Sequence, residues 1–161
     1  GLKETDVVLD ISLKVAELLR SKGVKVVLTR TTDIDLDLPP RVQLANSIGA
    51  DVFVSIHANA ARGKKSDVNG IETFYYTGYR GMQLSTYIQN ELLRVSSKLT
   101  DRGVRRAGFY VIRRTSMPAA LVEAGFVTGD LDSEMLSIED HRSRIAIAIA
   151  DGILIYLQGS I

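Results

Sequence analysis

A chain of 161 residues, 45% hydrophobic and 24% charged, has the make-up of one globular domain large enough to bury a single core. Its formal net charge of +1 argues against a dedicated nucleic-acid binder, which carries a large basic excess, and no apolar run reaches the length of a membrane span. With no cysteine there is no disulfide framework and no thiolate for a metal, so any metal must be held by His, Asp or Glu.

Residues 5–21 are expected to form a helix, because Val8, Ile11, Val15 and Leu18 recur at helical spacing with Leu19 widening the stripe. Thr5 or Asp6 can cap its start, and Gly23 can follow its end in a left-handed conformation. The short run KVVLTR at 25–30 reads as a buried strand. The loop after it, 31–38, carries Asp33, Asp35 and Asp37 but lacks the glycine and glutamate of a calcium loop, so it reads as solvated acid. Pro39 and Pro40 introduce a second helix through Gly49, since proline costs little in a first turn.

The run VFVSIHAN at 52–59 places β-branched and aromatic residues directly before a histidine. This is the pattern of a buried strand whose carboxyl end delivers a side chain to a site, although a histidine there is more often structural. Residues 60–69 form a polar, basic loop, and IETFYY at 71–76 is the next strand. A turn at 78–81 precedes a helix over 82–97 with Leu84, Ile88, Leu92 and Val95 on one face. Residues 100–108, with Arg102, Arg105 and Arg106, read as a loop; the arginines are either solvated charge or a basic rim for an anionic substrate.

FYVI at 109–112 is expected as a short strand. AALVE at 119–123 is another, and it ends on Glu123 as the earlier strand ends on His57. A strand-end acid alone points to water, but two such ends in one α/β chain direct attention to one edge of the sheet. A short helical piece over 128–137 and a helix over 138–157, with Ile145, Ile149, Ile153 and Tyr156 on one stripe, complete the chain. His141 is expected on the exposed, Arg-rich side of that helix. No Gly-rich phosphate loop and no G-x-S-x-G elbow occurs.

The segments LKETDVVLDISLKVAELL, VVLTRTTD, RVQLANSIGADVFVSIHANA, NGIETFYY, DRGVRRAGFYVIRRTSMPAALVEAGFVTG and IAIAIADGILIYL, in this order from Leu2 to about Leu157, resemble the zinc-dependent N-acetylmuramoyl-L-alanine amidases of bacteria. The S-I-H-A-N and L-V-E-x-G-F pieces together with the E-x-D-x-x-L start are jointly specific. The resemblance implies that Glu4 and His57 are zinc ligands and that Glu123 is the catalytic glutamate. It implies a three-layer α/β domain whose mixed, mostly parallel sheet has about five or six strands, with helices on both faces. It also implies Zn2+ as cofactor, peptidoglycan as substrate, cleavage between N-acetylmuramic acid and L-alanine, and a periplasmic or extracellular place in cell-wall turnover and cell division. A monomer is expected, with activator or targeting domains outside this chain; the substrate-binding residues are not assigned.

One departure stands out. The family's first zinc histidine, in a Gly-His-Gly-type motif after its first strand, has no counterpart, and its position would fall before Gly1. The chain also opens almost at once on a helix. A single catalytic domain spanning 1–161 and truncated at its amino end is the expectation, with a catalytically inactive peptidoglycan-binding or scaffold domain as the alternative. A different zinc peptidase of similar fold is a third reading. The short stretch 60–69 leaves no room for a long helix that would plug the site, so an open site is expected.

Overall fold

The computed structural model describes residues 3–29, 38–59 and 67–159. Its elements run α1 (Glu4–Ser21), α2 (Leu38–Ser47), β1 (Phe53–Asn59), β2 (Ile71–Tyr75), α3 (Tyr79–Leu93), β3 (Asp101–Arg106), α4 (Tyr110–Arg114), β4 (Ala119–Phe126), α5 (Asp130–Leu136) and α6 (Glu139–Gly159). The strands form one sheet in the order β1-β4-β2-β3. β1 pairs with β4 and β2 with β3 in parallel, whereas β2 and β4 are antiparallel, so the sheet is mixed and mostly parallel as expected.

Strand alternation sorts the sheet into two faces with different covers. Val54, Ile56, Ala58, Ala120, Val122, Ala124 and Ile71 point toward α1, α3 and α6 and join the large core. Phe53, Ala119, Leu121 and Phe74 point the other way, onto Val42 of α2 and Val111 and Ile112 of α4. β4 is buried along its whole length, which is why it reads as an unbroken apolar run rather than an alternating one. α6 approaches α3 closely at Gly152, where a Cβ would lie 2.6 Å from the Ile88 Cα. An ion pair between Arg142 Nε and Asp10 Oδ2 at 2.6 Å ties α6 to α1.

Several expectations change. The sheet has four strands rather than five or six among the described residues. FYVI is not a strand: Val111 and Ile112 lie in the short helix α4, buried as an adjacent pair against the sheet. A brief apolar run fits a buried helix as well as a strand, and here the sheet face needed a cover. Conversely, the charged stretch read as a loop is β3, an edge strand. Edge strands carry charge to discourage further pairing, so an apolar criterion misses them. Gly103, at φ 87, lies where the β2–β3 register shifts, consistent with a bulge that calls for a left-handed residue.

KVVLTR is not assigned to a strand over its described part, 25–29. A cleft of about 690 Å³ lies against residues 24–29, α1, α2 and β1. β1 is therefore an edge of the sheet among the described residues, and its free side borders that cleft. α1 begins at Glu4 with Lys3 as its N-cap and no side-chain cap, so Thr5 and Asp6 fall inside the first turn rather than capping it. Gly23 does follow α1 in a left-handed conformation, φ 83, with its N–H bonded to the Arg20 carbonyl. The acidic loop with Asp33, Asp35 and Asp37 and most of the loop after β1 lie outside the described residues. His141 is buried, not exposed. Burial holds its imidazole pKa below the usual value.

The end of β4 is pinned by Asp132 of α5, which is 2% exposed. Its Oδ2 accepts the N–H groups of Phe126 at 2.8 Å and Gly70 at 2.7 Å, and its own N–H donates to Asn69 Oδ1 at 2.9 Å. One carboxylate thus fixes where β4 ends and where the chain enters β2. Removing it strands two buried donors, so Asp132→Ala is expected to cost about 2–4 kcal/mol in urea unfolding. A loss below about 0.5 kcal/mol would show that water replaces the carboxylate without penalty.

Candidate active site

The sheet register brings together what the sequence keeps apart. His57 of β1 pairs with Glu123 of β4, and Glu123 pairs across its other side with Glu72 of β2. Directly paired residues share a face, so these three side chains form a polar row across three strands. The preceding row on the same face is Ser55, Leu121 and Phe74. The polar row therefore sits at the margin of the small core, where cover by α2 and α4 gives way. Glu4 flanks one end of it, and Arg102 and Arg105 of β3 flank the other.

At the first end, His57 Nδ1 lies 3.8 Å from Glu4 Oε1. His57 Nε2 lies 2.8 Å from the Ser55 hydroxyl, two residues earlier on the same strand face. With Nε2–H donating to the Ser55 oxygen, Nδ1 presents its lone pair toward Glu4. Holding the second ring nitrogen in this way is how proteins orient a metal-binding imidazole. Two donors sharing a tetrahedral zinc at ordinary bond lengths are about 3.3 Å apart, and the half-exposed Glu4 side chain can close the small difference. The pair thus fits as part of a zinc site. Among the described residues no group of three or more His, Asp or Glu is placed to hold a metal.

Glu123 occupies the middle of the row. It is 7% exposed, and its Oε2 is buried with no hydrogen-bond partner among the described residues. Burial pushes its pKa up to about 7, with Glu4 and Glu72 raising it further and His57 opposing. A carboxyl near neutrality beside the Glu4–His57 pair can both take and return a proton at physiological pH.

The three residues singled out in the sequence, Glu4, His57 and Glu123, thus come together at one sheet edge. Ser55 and Glu72 were missed. Ser55 could have been found from strand alternation, which puts it on the histidine's face. Glu72 carries no comparable signal, because nothing in the sequence tells that β2 runs antiparallel beside β4.

The chain matches the family Amidase_3, described as N-acetylmuramoyl-L-alanine amidase, over residues 1–154. The N-acetylmuramoyl-L-alanine amidase LytC of Bacillus subtilis (strain 168) is 39% identical over 160 residues, covering 98% of this chain and 32% of the relative. The solved N-acetylmuramoyl-L-alanine amidase AmiC2 of Nostoc punctiforme shares 44% identity at a TM-score of 0.93, over 98% of this chain and 86% of that one. The CwlD amidase of Clostridioides difficile, solved in complex with the GerS lipoprotein, shares 33% identity at a TM-score of 0.91, over 99% and 88% of the two chains.

Proposed function

The chain belongs to the N-acetylmuramoyl-L-alanine amidase family, whose activity is hydrolysis of the peptidoglycan amide between N-acetylmuramic acid and L-alanine, and from that premise we propose that Glu4, His57 and Glu123 are its catalytic centre. The observation that carries this reading is the pairing of His57 with Glu123 on adjacent strands, with Glu4 at 3.8 Å from the imidazole.

In this reading Glu4 and His57 hold a zinc ion, which when bound supplies polarisation of the amide carbonyl and activation of water. Ser55 fixes the His57 ring so that Nδ1 faces the metal position. The Glu123 carboxylate takes the proton of the attacking water as the oxygen bonds to the carbonyl carbon. It then returns that proton to the alanine nitrogen as the C–N bond breaks, leaving a muramoyl carboxylic acid and a free amine. Its raised pKa suits both halves of that transfer. The low accessibility of Glu123 keeps bulk water from competing for the proton.

A catalytic zinc usually has three protein ligands. We propose that the third is a histidine carried by an extended segment seated in the cleft between β1 and residues 24–29. What supports this is that the cleft borders the free side of β1 and is lined by both Glu4 and His57. A strand added there would deliver its carboxyl end beside the same pair.

The enzyme acts on the cell wall; a periplasmic or extracellular location, a part in cell division, and activator or targeting partners outside this chain belong to the proposal. No helix among the described residues is long and apolar enough to cross a membrane. Digestion of purified peptidoglycan by the full-length zinc-loaded protein tests the reading. New L-alanine amino termini are expected; cleavage within the peptide would identify a peptidase, and intact peptidoglycan a binding domain.

A further inference from the structure

Glu72 is only 6% exposed, yet no hydrogen bond reaches its Oε2 among the described residues. Its nearest charges are Arg105 Nε at 3.5 Å and Arg102 Nε at 3.7 Å. Two guanidinium groups against one carboxylate leave a net positive charge at this end of the row. The two arginines are held differently. Arg102 is packed over the Phe126 ring at 5.1 Å, and its Nε is buried. The Arg105 side chain is 61% exposed, and its Nε donates to the Arg102 carbonyl. Its contacts to Glu72 and to the Arg102 carbonyl run through Nε, which directs the exposed outer end of the guanidinium toward solvent and a ligand. The neighbouring Arg106 is already engaged, donating to the Tyr76 carbonyl at 2.8 Å and lying over the Tyr76 ring.

We propose that Arg105, held by buried Glu72 and backed by Arg102, binds a carboxylate of the substrate's stem peptide. The placement follows from the sheet. Arg105 pairs with Phe74, one row from Glu72, so its Cα lies two strand spacings across and two residues along from Glu123, about 12 Å away, and its side chain leans back toward Glu72. A peptide chain advances about 3.5 Å per residue, so a substrate with its scissile amide at Glu123 reaches Arg105 with its second or third residue. Both residues of a common stem peptide can bear a carboxylate: the α-carboxyl of a γ-linked glutamate, or the free carboxyl of a diamino acid. A guanidinium already oriented by a buried acid recognises such a group by a forked pair of charge-assisted hydrogen bonds. Burying Glu72 is costly unless it is paired, and its geometry spends that pairing on Arg102 and Arg105 rather than on Glu123. This makes Glu72 a positioning residue for the arginine.

The inference rests on the amidase reading for the identity of its ligand, and a binding measurement separates the two. Calorimetry on the full-length zinc-loaded protein would compare muramoyl peptides that differ only in having each carboxylate free or amidated. Wild type is expected to bind the free acid at the second or the third residue about tenfold tighter than its amide, and the position that shows the difference identifies the source. Arg105→Ala should bring that ratio to about one, and Arg105→Lys, which keeps a cation beside buried Glu72, should retain part of it at a melting temperature closer to that of wild type. A wild-type ratio near one at both positions, or an unchanged ratio in Arg105→Ala, overturns the inference. Discrimination without any hydrolysis would sustain it and count against the amidase reading instead.

Discussion

Glu123→Gln is expected to lower turnover by about a hundredfold to ten-thousandfold while leaving zinc content at the wild-type level. Glutamine keeps the shape and the buried oxygen but cannot carry the proton from water to the leaving nitrogen. The same substitution should stabilise the metal-free protein at neutral and alkaline pH. The folded-state pKa of Glu123 is raised to about 7 from its ordinary value of 4.5, with burial as the main cause. An acid with a raised pKa contributes stability that is complete below its unfolded value and is lost as pH rises through the folded one. That loss therefore runs from about pH 4.5 to about pH 7 and is flat above. Removing the ionisable group should recover up to about 3 kcal/mol at pH 8 and almost nothing at pH 4. Parallel denaturation curves of the two proteins at pH 4 and pH 8 would check this. A glutamine variant with wild-type turnover would remove Glu123 from the chemistry; equal stability at both pH values would show that Glu123 is solvated in solution.

His57→Ala is the second large effect. In the proposed site His57 is one of the metal donors and sits 3.8 Å from Glu4, so deleting the imidazole removes a ligand that the site needs. Zinc should then be lost on dialysis, and activity should fall to background. Ser55→Ala provides the graded comparison. It leaves both donors in place but frees the ring that the Ser55 hydroxyl holds at 2.8 Å. Loss of such an outer contact typically weakens metal affinity by about 10-fold to 100-fold. Competition with a chelator would rank wild type, Ser55→Ala and His57→Ala in that order. If Ser55→Ala held zinc as tightly as wild type, the hydroxyl contact would be incidental.

The parts of this molecule that were legible in the sequence are those where burial writes a simple pattern. β4 is enclosed on both faces, so its first part appears as an apolar run, but neither strand stops at the residue expected: β4 continues past Glu123 to Phe126 and β1 past His57 to Asn59. α3 and α6 show their stripes because one side of each lies on the large core. The failures have physical causes too. β3 lies at an edge and is built from charged residues, and α4 is too short for its period to be read. His141 sits in an Arg-rich stretch, yet it is buried and lies close enough to α5 to feel the charge of Asp132. Glu72 is the instructive case. It looks like any acid at the start of a strand until the antiparallel pairing of β2 with β4 sets it beside Glu123. Register depends on long-range contacts, and no local pattern encodes it.

The cleft beside β1 links fold to chemistry. A segment seated there would extend the sheet past β1 and complete the ligand set at the point where Glu4 and His57 meet. Sheet completion and metal binding should therefore be coupled, because both draw on the same edge strand.

The most direct test of the account is the zinc-edge anomalous signal from crystals of the zinc-loaded protein. The predicted result is one peak within about 2.2 Å of a Glu4 carboxylate oxygen and of His57 Nδ1, with Glu123 nearby but not coordinating. A peak held by Glu123 and Glu72 instead, or away from His57 altogether, would contradict it.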